Sequence, residues 1–230
     1  MRPARISPRI LAPLLLALAA CQPSAIAAQR EAAVMAPPAR SPAHEAPGTR
    51  VAVFAGGCFW GIEAVFSHLK GVKSAVTGYH GGAKNTAEYE TVSSGSTGHA
   101  EAVRVTYDPA VIRYDQLLRV FFSVGADPTT LNYQGPDHGT QYRSALVPLD
   151  PEQRRTAEAY LAQLSAARLW PGPIVTRIEG YKAFYPAEAY HQDFAAANPD
   201  HPYIRYWDAP KVAALKRLFP DLYKPAFTRG

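Results

Sequence analysis

Cysteine is scarce: the chain of 230 residues has two, Cys21 and Cys58. Cys21 lies in the N-terminal segment read below as a signal, which leaves one cysteine, too few for a zinc site; the seven histidines contain no His-x-x-x-His pair, so no metal ion is expected. Charge of one sign is lacking too. The formal balance is +5, from 24 basic and 19 acidic residues, but Arg2, Arg5 and Arg9 all lie at the N-terminus. Without those three, 21 basic residues face 19 acidic ones, a balance of +2. There is no basic block and no nucleic-acid motif, which removes nucleic acid as a partner. The apolar run Ile10 to Ala20 has eleven residues, too short to cross a bilayer as a helix. No internal repeat is detectable.

That run, with the arginines before it, reads as a targeting segment rather than as fold. It ends in Leu18-Ala19-Ala20-Cys21, which resembles the bacterial lipoprotein box. Residues 1–21 are therefore expected to be a signal ending at a lipidation cysteine, Cys21. A cut after Ala25-Ile26-Ala27 is the competing reading, and either route exports the chain. The expectation is a periplasmic monomer, anchored to the membrane only through an N-terminal lipid. Residues 22–49 hold nine alanines and five prolines without apolar periodicity, and are expected to be a disordered tether. Residues 50–230 then make one domain with a real core. Its single thiol, Cys58, cannot form an intramolecular disulfide. An unpaired cysteine in an exported domain points to reactivity.

Cys58 lies in Gly56-Gly57-Cys58-Phe59-Trp60-Gly61, between the apolar run Val51 to Ala55 and the amphipathic segment Ile62 to Leu69. This reads as strand, glycine turn, helix. A thiol at a helix N-terminus is expected to lose its proton readily, because free N–H groups and the dipole favour an anion there. The two aromatics after it offer an apolar wall. Gly61, inside the first turn, weakens a helix unless packing or access requires it.

Further along, strands are expected at Val72 to Tyr79, Ala100 to Tyr107, Arg143 to Leu149 and Ile174 to Ile178. Helices are expected at Phe59 to Leu69, Tyr114 to Val124, Pro151 to Arg168, Ala187 to Ala196 and Pro210 to Leu218, with a helical turn at Ala87 to Val92. Gly125 to Gly139 reads as a loop. The first six main elements run β-α-β-β-α-β. The fold class is α+β: a ferredoxin-like two-layer sandwich with extra C-terminal helices and a strand.

In the strand Ala100 to Tyr107, Glu101 shares a face with Val103 and Val105. A carboxyl on an apolar face is either solvated at the strand end or kept neutral by burial, and in the second case it can serve as a general acid. Tyr79, Tyr89 and the stretch Asp137 to Ser144 are further candidates for a polar pocket. His191 reads as a structural hydrogen-bonding histidine rather than a base.

Four stretches carry a specific resemblance: Gly57-Cys58-Phe59-Trp60-Gly61, Thr97-Gly98-His99-Ala100-Glu101, Asp137-His138-Gly139-Thr140-Gln141-Tyr142-Arg143-Ser144 and Ala187-Glu188-Ala189-Tyr190-His191-Gln192. In this order they resemble the signatures of peptide methionine sulfoxide reductase, type A. The resemblance implies a peptide-methionine (S)-S-oxide reductase acting on methionine sulfoxide, free or in oxidised proteins. It implies Cys58 as nucleophile, Glu101 as the acid that protonates the sulfoxide oxygen, Tyr89 and Tyr142 as hydrogen-bond donors, Phe59 and Trp60 as the wall for the methyl group, and Asp137 as a residue ordering the pocket. Many members carry resolving cysteines near the C-terminus. This chain has none after Cys58, and Ser93 stands where some members have another. The implied sulfenic acid on Cys58 therefore needs an external thiol such as thioredoxin, with no bound cofactor. The rivals are a cysteine hydrolase or peptidase of the cell envelope, which needs a histidine base against Cys58, a thiol peroxidase, and a tethered binding module with Cys58 buried.

Overall fold

The computed structural model describes residues 33–230. The expected signal, the lipidation cysteine Cys21 and the first part of the expected tether lie outside the described residues.

Strand β1 (Arg50–Gly56) leads through the glycine turn into α1 (Phe59–Ser67), and β2 (Val72–His80) follows. A short helix α2 (Tyr89–Val92) precedes β3 (Ala100–Tyr107). Helix α3 (Tyr114–Val120) runs on into a π-turn, Phe121–Gly125. A small hairpin, β4 (Tyr133–Gln134) with β5 (Asp137–His138), and a 3-10 turn at Thr140–Tyr142 come before β6 (Ser144–Val147). Then come α4 (Pro151–Ala167), β7 (Arg177–Ile178), β8 (Phe184–Pro186), α5 (Phe194–Ala197), a second π-turn at Ile204–Asp208, and α6 (Ala209–Leu218).

The main sheet has the order β7-β6-β1-β3-β2-β8, antiparallel except for the β6–β7 pair. Taken alone, β1, β2, β3 and β6 form the order β6-β1-β3-β2, with α1 and α3 as the two crossovers. This is the split β-α-β arrangement expected from the sequence. The larger core lies between the sheet and the helices, where Phe54, Val103, Val105 and Tyr107 meet Ile62, Phe66, Leu117 and Phe121. Glu101 is on that face of β3, opposite Tyr79 of β2.

Several local expectations change. The expected helix Ala187 to Ala196 is a 3-10 turn at Ala189–His191 followed by α5, broken by Asp193 at φ +54°. The expected strand Ile174 to Ile178 shrinks to Arg177–Ile178, and β8 was not anticipated. The loop Gly125 to Gly139 contains the β4–β5 hairpin. The short strands β7 and β8 are defined by pairing with distant strands, β6 and β2, rather than by local periodicity.

The largest correction concerns the tether. Residues 33–49 are docked on the domain. Ser123 receives the Val34 and Ala36 N–H groups through its carbonyl and its hydroxyl, both at 3.0 Å. The Tyr160 hydroxyl donates to the Pro37 carbonyl at 2.7 Å, and Gln163 bonds Pro38 and Arg40, both at 2.8 Å. Asp115 accepts the Ala43 N–H at 3.0 Å. Glu45 accepts the Tyr114 N–H at 2.7 Å and the Tyr107 hydroxyl. Ala36 and Ala43 are buried. Composition misled here because the partners sit on β3, α3, the π-turn after it and α4, far away in sequence. An extended, proline-bearing segment keeps its backbone groups free for such partners and loses less entropy on docking.

Candidate active site

Cys58 is the N-cap of α1. The turn before it needs its glycines. Gly57 has φ +89°, and a Cβ there would lie 2.5 Å from the Gln134 side chain. Gln134 in turn ties down its own loop, accepting the Asp127 N–H at 2.9 Å and donating to Asp127 O at 2.8 Å and to Thr130 at 2.6 Å. The hairpin that carries Asp137 is thereby pressed against the cysteine turn. Gly61 is glycine because Asp208, buried at the end of the second π-turn, fills the space a side chain would need.

The Phe59 N–H, one of the free donors of the first turn of α1, points at Glu101 Oε2 at 3.0 Å. Glu101 is 3 % exposed. Burial pushes its carboxyl up to about 8, against the pull of the Phe59 N–H, with Asp137 and Asp208 adding to the rise. Its proton is therefore present at neutral pH. With Oε2 engaged as an acceptor, that proton sits on Oε1.

Cys58 departs from the expectation of an easily ionised thiol. Burial pushes it well above its ordinary value, and Asp208, Glu101 and Asp137 push it further; the Trp60 N–H alone works the other way. The helix terminus is outweighed because a thiolate would be surrounded by carboxyl groups in a poorly solvated site. At neutral pH the thiol keeps its proton.

A cavity of about 280 Å³ opens over the sulfur. Phe59, Trp60, Tyr89, Glu101, Asp137, Tyr142, His201 and Tyr203 line it with Cys58. The structure thus brings together Cys58, Phe59, Trp60, Tyr89, Glu101, Asp137 and Tyr142, the residues singled out from sequence. The Tyr89, Tyr142 and Tyr203 phenols are all shifted upward, chiefly by burial, so they remain O–H donors. Sequence reasoning missed Tyr203, whose hydroxyl donates to Asp137, and Asp208 and His201. Pro210 behind Asp208 signals a helix start, but nothing in the sequence ties that start to Cys58. Among the described residues no cluster of metal-ligating side chains is found.

The signature stretches are stapled to each other. Arg143 donates to the Gly98 and His99 carbonyls at 3.2 and 3.1 Å, and pairs with Glu179 at 2.7 Å. Glu188 accepts the Tyr79 hydroxyl and the Tyr89 N–H, both at 2.8 Å. His191 accepts the Trp60 indole N–H at 3.1 Å.

A family model described as peptide methionine sulfoxide reductase matches residues 50–222. The chain belongs to the type A peptide methionine sulfoxide reductases. A reductase named MsrA 2 from Mesorhizobium japonicum is 60% identical over 178 residues, 77% of this chain and 91% of the relative. Another MsrA 2, from Synechocystis sp., is 50% identical over 179 residues, 78% of this chain and 84% of the relative. Among solved structures, methionine sulfoxide reductase A of Corynebacterium diphtheriae has a TM-score of 0.57 at 33% identity, covering 74% of this chain and 90% of the other. The reduced form of Mxr1 from Saccharomyces cerevisiae gives 0.57 at 32%, covering 70% and 92%. This chain is accordingly an enzyme that reduces methionine sulfoxide, and the hydrolase, peroxidase and binding-module readings fall away.

Proposed function

We propose that the pocket reduces the S epimer of methionine sulfoxide by attack of Cys58 on the sulfoxide sulfur while Glu101 protonates the oxygen. The observation that carries this is a neutral, buried carboxyl, fixed by the Phe59 N–H, in the same small cavity as the thiol. Sulfoxide oxygen is a poor leaving group until it is protonated. The Tyr89 and Tyr142 hydroxyls face the same oxygen as donors, and Phe59 and Trp60 hold the S-methyl. Oxygen toward Glu101 and methyl on Phe59 and Trp60 fix two substituents, and Cys58 fixes the direction of attack on the sulfur, so one configuration at sulfur fits. The fourth direction, the rest of the substrate, leaves through the pocket mouth.

Proton transfer from Glu101 to the sulfoxide oxygen makes the sulfur electrophilic, and as Cys58 Sγ bonds to that sulfur the thiol proton passes to the Glu101 carboxylate. The new sulfur–sulfur bond and the substrate's sulfur–oxygen bond then break as the oxygen becomes bonded to Cys58 Sγ. A sulfoxide and a thiol become a thioether and a sulfenic acid, with atoms and electrons in balance. The sequence has no cysteine after Cys58, so two external thiol groups reduce the sulfenic acid, giving a disulfide, water and the restored thiol. A thioredoxin-like dithiol protein supplies them, and oxidised proteins and free methionine sulfoxide are the substrates.

The experiment is dithiothreitol-dependent reduction of the two separated epimers by the purified enzyme and by Cys58→Ser. Turnover of the S epimer alone, abolished in the variant, is expected. Turnover of the R epimer, or activity surviving the substitution, overturns the reading. We also propose, from the sequence of residues 1–21, export with a lipid on Cys21. Metabolic labelling with a fatty acid in a bacterial host, lost in Cys21→Ala, tests it.

A further inference from the structure

The Trp60 side chain has one polar atom, and that atom is committed. Its indole N–H donates to His191 Nδ1 at 3.1 Å. Phe194 stacks on the indole at 3.8 Å and 11°, which fixes the ring plane but lets the ring slide and turn within it. The hydrogen bond to His191 stops that in-plane movement, because it needs Nε1 at one point. His191 is 2 % exposed and is itself wedged among Phe59, Tyr89 and Tyr190, with ring centres at 5.1, 4.5 and 4.2 Å. An Nδ1 that accepts must carry no proton. The ring is thus the neutral tautomer with its hydrogen on Nε2, which lies 4.0 Å from Glu188.

We propose that His191 is a positioning residue which, as a neutral acceptor, holds the Trp60 indole against the substrate's S-methyl group, and that protonating it releases Trp60 and weakens substrate binding. The proposal rests on Trp60 being the methyl wall. On protonation Nδ1 becomes a donor and faces the indole donor, so the contact turns repulsive and Trp60 must move. The titratable groups facing His191 are Glu188 and Tyr190 on its own turn and Tyr89 on α2; α1 presents Phe59 and Trp60, which do not titrate. Burial holds the imidazole below its ordinary range while the Glu188 charge pulls it back, so the change falls on the acid side. Glu188 stays ionised there: the Tyr89 N–H and Tyr79 hydroxyl hold it low despite its own burial.

The test uses the inert Cys58→Ser enzyme and measures the Kd for N-acetyl-methionine-S-sulfoxide amide between pH 5 and 7, where Glu101 remains protonated. The expected result is binding that weakens as the pH falls through this range, toward a limit about fivefold weaker than at pH 7, the worth of about one hydrogen bond. Adding His191→Asn, which keeps an acceptor oxygen near the Nδ1 position and does not titrate, should leave Kd near the neutral-pH value and flat with pH. Adding His191→Phe should weaken binding about fivefold at every pH. In the active background His191→Phe should raise KM by a similar factor with kcat within about twofold. A pH slope that persists in His191→Asn, or unchanged Kd and KM in His191→Phe, overturns the proposal. If Trp60→Phe binds the ligand as tightly as its parent, the methyl-wall reading itself fails, and that result is separate from any outcome at His191.

Discussion

Glu101 Oε2 accepts the Phe59 N–H at 3.0 Å, so the side chain of one strand caps the helix that begins at Cys58. The same contact fixes the acid beside the thiol and leaves Oε1 to hold the proton. A strand-borne carboxyl and a helix-borne cysteine are thereby locked in one frame, without a loop between them. This geometry and the burial around it lead to four expectations.

Glu101→Gln keeps an acceptor for the Phe59 N–H and removes the acid. We expect kcat to fall by about 10²–10⁴ with little change in Tm. With the carboxyl pushed up to about 8, wild-type kcat should decline above that pH as the proton is lost, and this limb should vanish in Glu101→Gln. A pH-rate profile of both enzymes decides it; a variant with wild-type kcat removes Glu101 from the chemistry.

Glu63 is a second buried carboxyl, on α1, fully shielded from solvent and pushed up to about 8 by burial. The unfolded chain ionises near the ordinary value of 4.5. Between those values the folded state binds more protons, so stability falls as pH rises, by about 1.4 kcal/mol per pH unit at most for this group. Glu63→Gln should flatten that decline. Its Tm relative to wild type should be higher at pH 8.5 than at pH 5.5, and equal differences at the two pH values would show that Glu63 is not held neutral.

Gly61→Ala would raise the stability of a free helix by about 1 kcal/mol. Here the new Cβ would lie 2.9 Å from Asp208 Cγ and closer still to its oxygen. The clash with a buried carboxyl wins, so Tm should drop and kcat with it, because Asp208 sits beside Cys58. Differential scanning calorimetry with steady-state assay checks the sign, and a rise in Tm would defeat the packing argument.

The docked segment 33–49 should contribute to stability. Glu45→Ala strands the Tyr114 N–H and the buried Tyr107 hydroxyl, a loss of about 1–3 kcal/mol or about 3–10 °C in Tm. A chain starting at residue 50 should melt lower than one starting at residue 33. Equal melting points would restore the picture of a loose tether.

Much of this was legible because it is local. The glycines around Cys58 announce a close turn, and Gly57 and Gly61 prove to be glycine for lack of room beside Gln134 and Asp208. The alternation in Ala100 to Tyr107 put Glu101 on the core face, where it lies. The parts that escaped are those whose partners are remote. Tyr203 reaches Asp137 across 66 positions, and His191 reaches Trp60 across 131. The docked segment 33–49 reads as disorder until β3, α3, the π-turn after it and α4 supply its acceptors and donors.

The sequence by itself determined the β-α-β-β-α-β order of the six main elements, the single thiol of the domain and the core-facing position of Glu101. These follow from periodicity, composition and motif, which act over a few residues. Tertiary structure alone decided the ionisation of the site. A cysteine at a helix start looks acidic in isolation, but folding surrounds it with Asp137, Asp208 and Glu101 and takes away its water. The free energy of a buried charge depends on everything within a few ångströms, and those three neighbours come from three distant parts of the chain.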